Sequence, residues 1–110
     1  MPARLSVTLA TAFLMGAIVA VQAATTMTIV QKGLQLNKNS VTLTKGDRLV
    51  FTNDDDVIHN IHIFGPGSDE EKDLGLQKPG VPLTYAFDKA GSYRVRCNIH
   101  PSVKMAVTVQ

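Results

Sequence analysis

Residues 92–109 read SYRVRCNIHPSVKMAVTV, and this stretch decides the fold that we predict. In its first part, Tyr93, Val95 and Cys97 alternate with polar or charged residues, which is the period of a β-strand with one buried face. After a short loop, residues 105–109 alternate in the same way. The stretch therefore predicts two strands joined by a loop, with the Cys97 side chain directed into the core.

The chain from residue 26 onward repeats this pattern of short extended segments separated by turns. Further strands are predicted at 26–31, 40–44, 47–53, 57–64 and 83–87. The stretch 65–82 is rich in glycine, proline and charge, has no sustained period, and is predicted to be a long surface loop. About seven to eight short strands without a helical period predict an all-β fold, an antiparallel β-sandwich. An immunoglobulin-type sandwich is the alternative, although the paired cysteines and the Trp of that family are missing.

Residues 1–23 have the composition of an export signal rather than of a folded domain. Arg4 precedes an apolar run, and small residues follow at Ala23 and Ala24. We expect cleavage after Ala23, which leaves one domain, residues 24–110, in the periplasm and free of the membrane. An uncleaved membrane anchor is the alternative. Cleavage would remove one of 11 basic residues and none of nine acidic ones, so the charge balance predicts no nucleic-acid partner.

Export to an oxidising compartment restricts the state in which the chain's single cysteine, Cys97, can persist. In an oxidising compartment an unpaired thiol reacts unless it is buried or bound to a metal. His100 comes three residues later, Met105 follows, and His59 lies on a predicted strand upstream. One thiolate, two imidazoles and one thioether are the donor set of a type I (blue) copper site, which holds one copper ion as Cu(I) or Cu(II). These four residues are the predicted metal ligands.

Two neighbouring features of the segment around His59 are given structural roles. Strand alternation puts His59 and His62 on opposite faces, about 10 Å apart, so His62 is interpreted as a structural or surface histidine. The acidic run at residues 54–56 is interpreted as a solvated turn, with guidance of a docking partner by charge as the alternative.

The chain resembles the small secreted cupredoxins, a family that includes plastocyanin, amicyanin and pseudoazurin. The resemblance rests on VTLTKGDRLVFTN at 41–53, FDKAGSYRVRC at 87–97 and CNIHPSVKM at 97–105. It implies a Greek-key sandwich that binds copper through His59, Cys97 and His100, with Asn60 tying the ligand loops together by hydrogen bonds. It also implies a monomeric carrier of single electrons, which docks transiently with larger redox proteins as donor and acceptor.

The spacing of Met105 leaves the fourth ligand open. Family members with a short ligand loop place Met three residues after the second His, where this chain has Val103. Met105 lies five residues after His100, which is the spacing of the longer loops, yet the tail after His100 has the length typical of the short loop. Met105 is therefore either the weak axial ligand, which we expect, or the first inward-facing residue of the last strand.

Three functions could use these residues. A non-cycling copper-binding or storage protein favours more Cys and Met donors than the exported chain offers. An enzyme with Cys97 as nucleophile and His100 as base would need an orienting group and an oxyanion site, which the sequence does not reveal. We therefore predict an electron carrier and not an enzyme, with electrons leaving through His100 and the apolar residues Pro101 and Val103.

Overall fold

The computed structural model describes residues 23–110, together with isolated positions nearer the N-terminus: 3–4, 8, 10–11 and 16. Most of the predicted export signal, residues 1–23, lies outside the described residues. In the described part of the chain, no helix is long and apolar enough to cross a membrane. Its regular elements are all β-strands.

Eight strands form two sheets that enclose the core. They are β1 (Thr26–Gln31), β2 (Ser40–Leu43), β3 (Arg48–Asn53), β4 (His59–Phe64), β5 (Glu71–Gln77), β6 (Leu83–Ala86), β7 (Gly91–Arg96) and β8 (Lys104–Val109). One sheet has the strand order β1, β3, β6, and the other has the order β2, β8, β7, β4, β5. The predicted all-β sandwich is confirmed.

The direction of two strand pairs differs from the simple antiparallel sandwich that the sequence predicted. Strand β1 pairs with β3 in parallel, and β2 pairs with β8 in parallel, whereas the other four pairs are antiparallel. From β1 the chain crosses to the other sheet, forms β2, and returns as β3 beside β1 in the same direction. Residue alternation reports which face of a strand is buried but not the direction of its neighbour, so the sequence did not reveal the mixed sheets.

Strand β5 lies inside the stretch 65–82 that was predicted to be a surface loop, so that prediction is wrong. This strand forms the edge of its sheet and pairs with β4, with a register irregularity opposite Asn60 and His62. Its first three residues are charged and exposed, and Gly75 has a positive φ of 89°. Edge strands often carry charges because these prevent pairing with other chains, and here the charges conceal the strand period.

The core between the sheets is built from the inward-facing residues of both. The alternation predicted for β7 is confirmed, since Tyr93 and Val95 are buried while Arg94 and Arg96 are exposed. The next residue, Cys97, follows the same alternation and is only 1% exposed, so it faces the core as predicted. Strand β7 therefore places the buried thiol of Cys97 at one end of the sandwich.

Asp47 fastens the start of β3 to two other chain segments. Its Oδ1 accepts a hydrogen bond from the backbone N–H of Thr25, and its Oδ2 accepts one from the backbone N–H of Thr44, both at 2.9 Å. These two bonds hold the pKa of Asp47 below its ordinary value, because they favour the charged carboxylate.

The substitution Asp47→Asn is expected to lower the free energy of unfolding at neutral pH, because an amide offers one acceptor oxygen in place of two. Since the folded-state pKa of Asp47 is depressed, its stabilising effect is complete above the ordinary carboxyl pKa and is lost as the pH falls through the folded-state value. The difference between wild type and variant should therefore shrink in acid. Denaturant unfolding of the copper-free proteins at about pH 7 and about pH 3 measures it. A difference independent of pH would contradict this role.

Candidate metal centre

His59, Cys97 and His100 converge at one end of the sandwich. The Nδ1 atom of His59 lies 3.5 Å from Cys97 Sγ and 3.3 Å from His100 Nδ1. One ligand atom from each residue falls within 4.8 Å of the other two. Among residues 23–110, this is the one group of three or more His, Cys, Asp or Glu side chains arranged in this way. The structure thus brings together three of the four predicted ligands.

His59 opens β4 and is fully buried, with its two ring nitrogens in different surroundings. Its Nε2 lies 2.7 Å from Asp55 Oδ2, and an ionised carboxylate only accepts hydrogen bonds. The hydrogen of the neutral imidazole is therefore on Nε2, which leaves the Nδ1 lone pair directed toward Cys97 and His100. Asp55 in this way fixes the tautomer that a metal ligand requires.

Asp55 is a site residue that the sequence did not reveal, because its acidic run was interpreted as a solvated turn. Besides the bond with His59, its carboxylate accepts hydrogen bonds from the backbone N–H groups of Gly33 (2.6 Å) and Leu34 (3.2 Å). Burial alone would raise the pKa of Asp55, but the hydrogen bonds from His59, Gly33 and Leu34 together bring it below its ordinary value. The carboxylate therefore stays ionised beside the imidazole at neutral pH.

The turn that carries Asp55 is held from inside the protein by the buried side chain of Asn53. Asn53 Oδ1 accepts a hydrogen bond from the Asp55 backbone N–H at 3.0 Å, and its amide donates to the carbonyls of Val57 (2.9 Å) and Gln77 (3.0 Å). Both sides of the turn are thereby joined to the end of β5. This clamp limits the positions that Asp55, and through it His59, can adopt.

Cys97 and His100 lie on the loop between β7 and β8, which its own backbone closes. The Cys97 N–H donates to the Val103 carbonyl and the Val103 N–H donates to the His100 carbonyl, each at 3.0 Å. The half-buried ring of His100 meets the ring of His59 edge to face, with centroids 4.9 Å apart. His100 is thus the more exposed of the two histidines, as expected for a loop residue.

Asn60 joins strand β4 to this loop at two points. Its backbone N–H lies 3.4 Å from Cys97 Sγ, and its side-chain Oδ1 accepts a hydrogen bond of 2.7 Å from the Asn98 N–H. The first contact links the start of β4 to the sulfur and helps to fix the position of Cys97 Sγ. The second is the type of loop tie that the resemblance implied for Asn60.

Met105 and Val103 both lie on the buried side of the chain near Cys97. Val103 is fully buried directly across from Cys97, whereas Met105 pairs with Val95 and is diagonal to Cys97. Diagonal neighbours in an antiparallel pair are about 7–8 Å apart, a distance that long side chains span. Because Val103 is 0% exposed, the prediction that it forms part of a surface for electron exit is wrong.

His62 lies outside the group of converging donors, in line with its predicted structural role. Its Nδ1 is 2.8 Å from Glu71 Oε1 and its Nε2 is 3.2 Å from Asp73 Oδ1, both on the neighbouring strand β5. Each ring nitrogen is therefore engaged by a different carboxylate. His62 stabilises the pairing of β4 with the edge strand.

The three converging donors fit a copper ion. A thiolate is a soft ligand that suits Cu(I), and imidazole nitrogens bind Cu(II) well, so a His₂Cys set accommodates both oxidation states. Two of the donors, on His59 and Cys97, are almost completely buried. Such burial keeps water away from the donors and limits their rearrangement.

Replacing Asp55 with alanine is expected to weaken Cu(II) binding by about 10–100-fold, because His59 loses the acceptor that orients its ring. The matched control is Asp56→Ala, which removes the same charge from the exposed adjacent position. Competition titration with a Cu(II) chelator gives the affinities, and ¹⁵N NMR of the copper-free protein reports the His59 tautomer. Equal affinities of the two variants would contradict a positioning role for Asp55.

Comparison with known proteins agrees with this chemistry. Residues 23–110 match the family described as copper binding proteins, plastocyanin/azurin family. A mutant of amicyanin in its reduced state has a TM-score of 0.69 and 20% identity, covering 77% of this chain and 82% of the amicyanin chain. A second reduced mutant of amicyanin, and the reduced Cu(I) form of a third at pH 4, each give a TM-score of 0.70 and 21% identity over 83% of this chain and 88% of theirs. None of the curated protein sequences matches significantly.

Proposed function

The chain belongs to the plastocyanin/azurin family of copper-binding proteins, and we propose that it is a periplasmic electron carrier that moves single electrons between larger redox proteins. The observation that carries this proposal is the convergence of one ligand atom each from His59, Cys97 and His100 within 4.8 Å of one another. This is the donor set of a type I copper site.

In the proposed centre, His59, Cys97 and His100 would hold the copper, and Met105 would be a fourth, weak ligand. When bound, copper supplies a one-electron couple between Cu(I) and Cu(II). The protein holds the donors in nearly fixed positions: Asp55 orients His59, and the closed loop places Cys97 and His100. The donor atoms therefore need to move little when the charge of the copper changes, and the same donor positions suit both Cu(I) and Cu(II).

The burial of the thiol supports a carrier over an enzyme. Cys97 is 1% exposed and His59 is fully buried, so a substrate has no direct access to the sulfur. The only donor ring with appreciable exposure within the group is that of His100, which suits transfer of an electron to a docked partner better than attack on a bound substrate.

Exposed apolar side chains on the segments around His100 support transient docking at this end. Leu34, Val57, Ile58 and Ile99 are between 38% and 46% exposed. Ile58 directly precedes His59, Ile99 precedes His100, and the hydroxyl of Ser102 on the ligand loop donates to the Leu34 carbonyl at 2.6 Å. An apolar surface of this kind favours weak, short-lived association.

The substitution Ile99→Asp is expected to slow electron self-exchange between the Cu(I) and Cu(II) proteins by about tenfold or more, because it places like charges in contact when two copies dock. Line broadening in NMR spectra of mixtures of the two forms measures the rate. Thr42→Asp, at an exposed position on β2, is the matched control and should exchange like the wild type. Equal rates in the two variants would exclude this surface as the route of exchange.

Voltammetry combined with visible spectroscopy tests the carrier function. We expect a reversible one-electron couple and an intense visible band from the Cys97 thiolate to Cu(II). A protein that binds or stores copper without cycling would show binding with no reversible couple, and that result would overturn the proposal.

We also propose that residues 1–23 are removed on export, which leaves a mature monomer of residues 24–110. The order of charged, apolar and small residues supports this cleavage. N-terminal sequencing of the protein purified from the periplasmic fraction should begin at Ala24. An N-terminus at Met1 in membrane-bound material would favour an uncleaved anchor.

A further inference from the structure

Three amide side chains lie buried at the end of the sandwich that carries His59. Gln31 is the last residue of β1, Asn53 is the last of β3 and Gln77 is the last of β5. Each of the three is at most 1% exposed. Burying an amide lowers stability unless its donors and its acceptor find partners. We call these three residues the amide cluster, and their hydrogen bonds show which parts of the chain they hold.

The side chain of Gln77 is fixed in one orientation. Its Nε2 donates to the carbonyl of Phe51 at 2.8 Å and to that of Val81 at 2.6 Å. Its Oε1 accepts a hydrogen bond from Gln31 Nε2. The reversed amide would direct its oxygen at two carbonyl oxygens, neither of which can donate. Gln77 therefore ties together β1, β3 and the turn that follows β5.

Gln77 is also linked to His59 in two ways. The two residues are register partners across β4 and β5. In addition, the Gln77 carbonyl accepts the hydrogen bond from the Asn53 amide at 3.0 Å. Asn53 in turn holds the backbone of Asp55, whose carboxylate bonds to His59 Nε2. A shift of Gln77 would therefore move both the strand opposite His59 and the turn that orients its ring.

Gln31 holds Gln77 and the same turn, although part of its own amide is unpaired. Its Nε2 donates to the Thr52 carbonyl at 2.9 Å as well as to Gln77, and its backbone carbonyl accepts a hydrogen bond from the Asp54 N–H at 2.8 Å. Its Oε1 is buried and has no partner among the described residues. A buried acceptor without a partner lowers stability. The amide of Gln31 is therefore better explained by what it positions than by a contribution to stability.

We propose that Gln77, held in place by Gln31, is a positioning residue for His59 and thereby for the metal centre. Its hydrogen bonds go to carbonyls and amides and not to the donor atoms, so it acts through the Asp55 turn and across the β4–β5 pair. The inference rests on the proposed function, because it names residues that keep the donors of that site in place. The positioning itself operates in the copper-free protein and can be measured without metal.

The alternative is that the amide cluster only stabilises the fold. The substitution Gln31→Met separates the two roles, since methionine resembles glutamine in length but has only a weakly accepting sulfur. It removes the unpaired Oε1 of Gln31 and leaves the Oε1 of Gln77 unpaired instead. One buried acceptor is unpaired before and after the change, so we expect a small change in the free energy of unfolding together with a loss of restraint on Gln77.

Hydrogen exchange at His59 is the readout of this restraint in the copper-free protein. The Nε2–H of His59 is buried and bonded to Asp55, and it should give a proton NMR signal that exchanges slowly with water. In Gln77→Met and in Gln31→Met this proton should exchange about tenfold faster or more. The matched control is Val109→Ala, which leaves a cavity in the core at the far end of β8 and lowers the free energy of unfolding without touching the cluster.

Cu(II) affinity, measured by competition with a chelator, is a second readout. Loss of groups that orient metal ligands weakens binding by about 10–100-fold, and we expect the lower end of this range for Gln77→Met. Val109→Ala should bind Cu(II) like the wild type, because its donors keep their positions. If Gln77→Met does not fold, Gln31→Met alone is compared with Val109→Ala in both measurements.

The outcomes separate this inference from the proposed function. If the amide variants exchange the His59 proton no faster than Val109→Ala and bind Cu(II) equally well, the cluster only stabilises the fold and the inference is overturned. A reversible couple in the wild type together with that result overturns the positioning role alone. Faster exchange in the amide variants of a protein that has no reversible couple supports the positioning role and overturns the carrier function.

Discussion

Replacing Cys97 with serine is expected to abolish the intense visible absorption of the copper-loaded protein and to weaken Cu(II) binding by more than about 100-fold. The band arises from charge transfer from the thiolate to Cu(II), and a serine hydroxyl at neutral pH provides neither the charge nor the soft donor. Loss of groups that only orient metal ligands already costs about 10–100-fold in affinity, so loss of a ligand should cost more.

The fold of the serine variant should survive, because Cys97 contributes little more than one sulfur atom to a core that spans both sheets. Thermal unfolding of the copper-free proteins checks this point separately from copper binding. His62→Gln is the matched control for a site residue on β4: His62 bonds to Glu71 and Asp73 instead of facing the thiol, so its loss should leave the band unchanged. An intense band in Cys97→Ser, or its loss in His62→Gln, would be incompatible with the proposed ligand set.

The parts of this site that the sequence reveals are those governed by local geometry. The alternation of Tyr93, Val95 and Cys97 determines which way the thiol points, and it holds in the structure. The short interval between Cys97 and His100 keeps both on one loop. Alternation likewise separates His59 from His62, since neighbouring positions on a strand face opposite sides.

The parts that the sequence did not reveal depend on contacts between distant segments. Asp55 is oriented by the backbone of Gly33 and Leu34, which are 22 and 21 residues away, so its run of acidic residues has the same composition as a solvated turn. The burial of Val103 follows from a loop that closes on the Cys97 N–H. Neither contact leaves a periodic signal in the sequence.

The sequence did not predict strand β5 or the two parallel strand pairs, and the reason is related. An edge strand needs to bury only part of one face, and the exposed charges at Glu71 and Asp73 remove the apolar alternation by which strands are recognised. The direction of pairing depends on the path of the chain between the sheets, which the strand pattern does not encode.

The fourth ligand of the proposed copper site can be judged in two ways. One is the spacing of Met105 from His100 in the sequence, and the other is the position of Met105 relative to Cys97 in the structure. Val103 lies directly across from Cys97, while Met105 is one residue pair further along, opposite Val95. A valine side chain has no donor atom, whereas the thioether of Met105 is long enough to reach across the diagonal. We therefore propose Met105 as the weak axial ligand.

Replacing Met105 with leucine is then expected to retain copper and its visible band, because the His59, Cys97 and His100 donors remain. The reduction potential should rise, since removal of an electron-donating ligand destabilises Cu(II) more than Cu(I), and the EPR parameters of the Cu(II) form should change. Leucine is close to methionine in volume, so the packing of β8 should be preserved at a cost of less than about 1.5 kcal/mol. Voltammetry and EPR on the same samples measure both effects.

The substitution Val103→Met provides the converse test. If Met105 already binds at the axial position, a second thioether across from Cys97 competes with it and should change the potential little in the wild-type background. In the Met105→Leu background, the same substitution should restore a thioether and lower the potential again. If Met105→Leu leaves both the potential and the EPR parameters unchanged while Val103→Met lowers the potential, Met105 is a core residue of β8 and only His59, Cys97 and His100 would hold the copper.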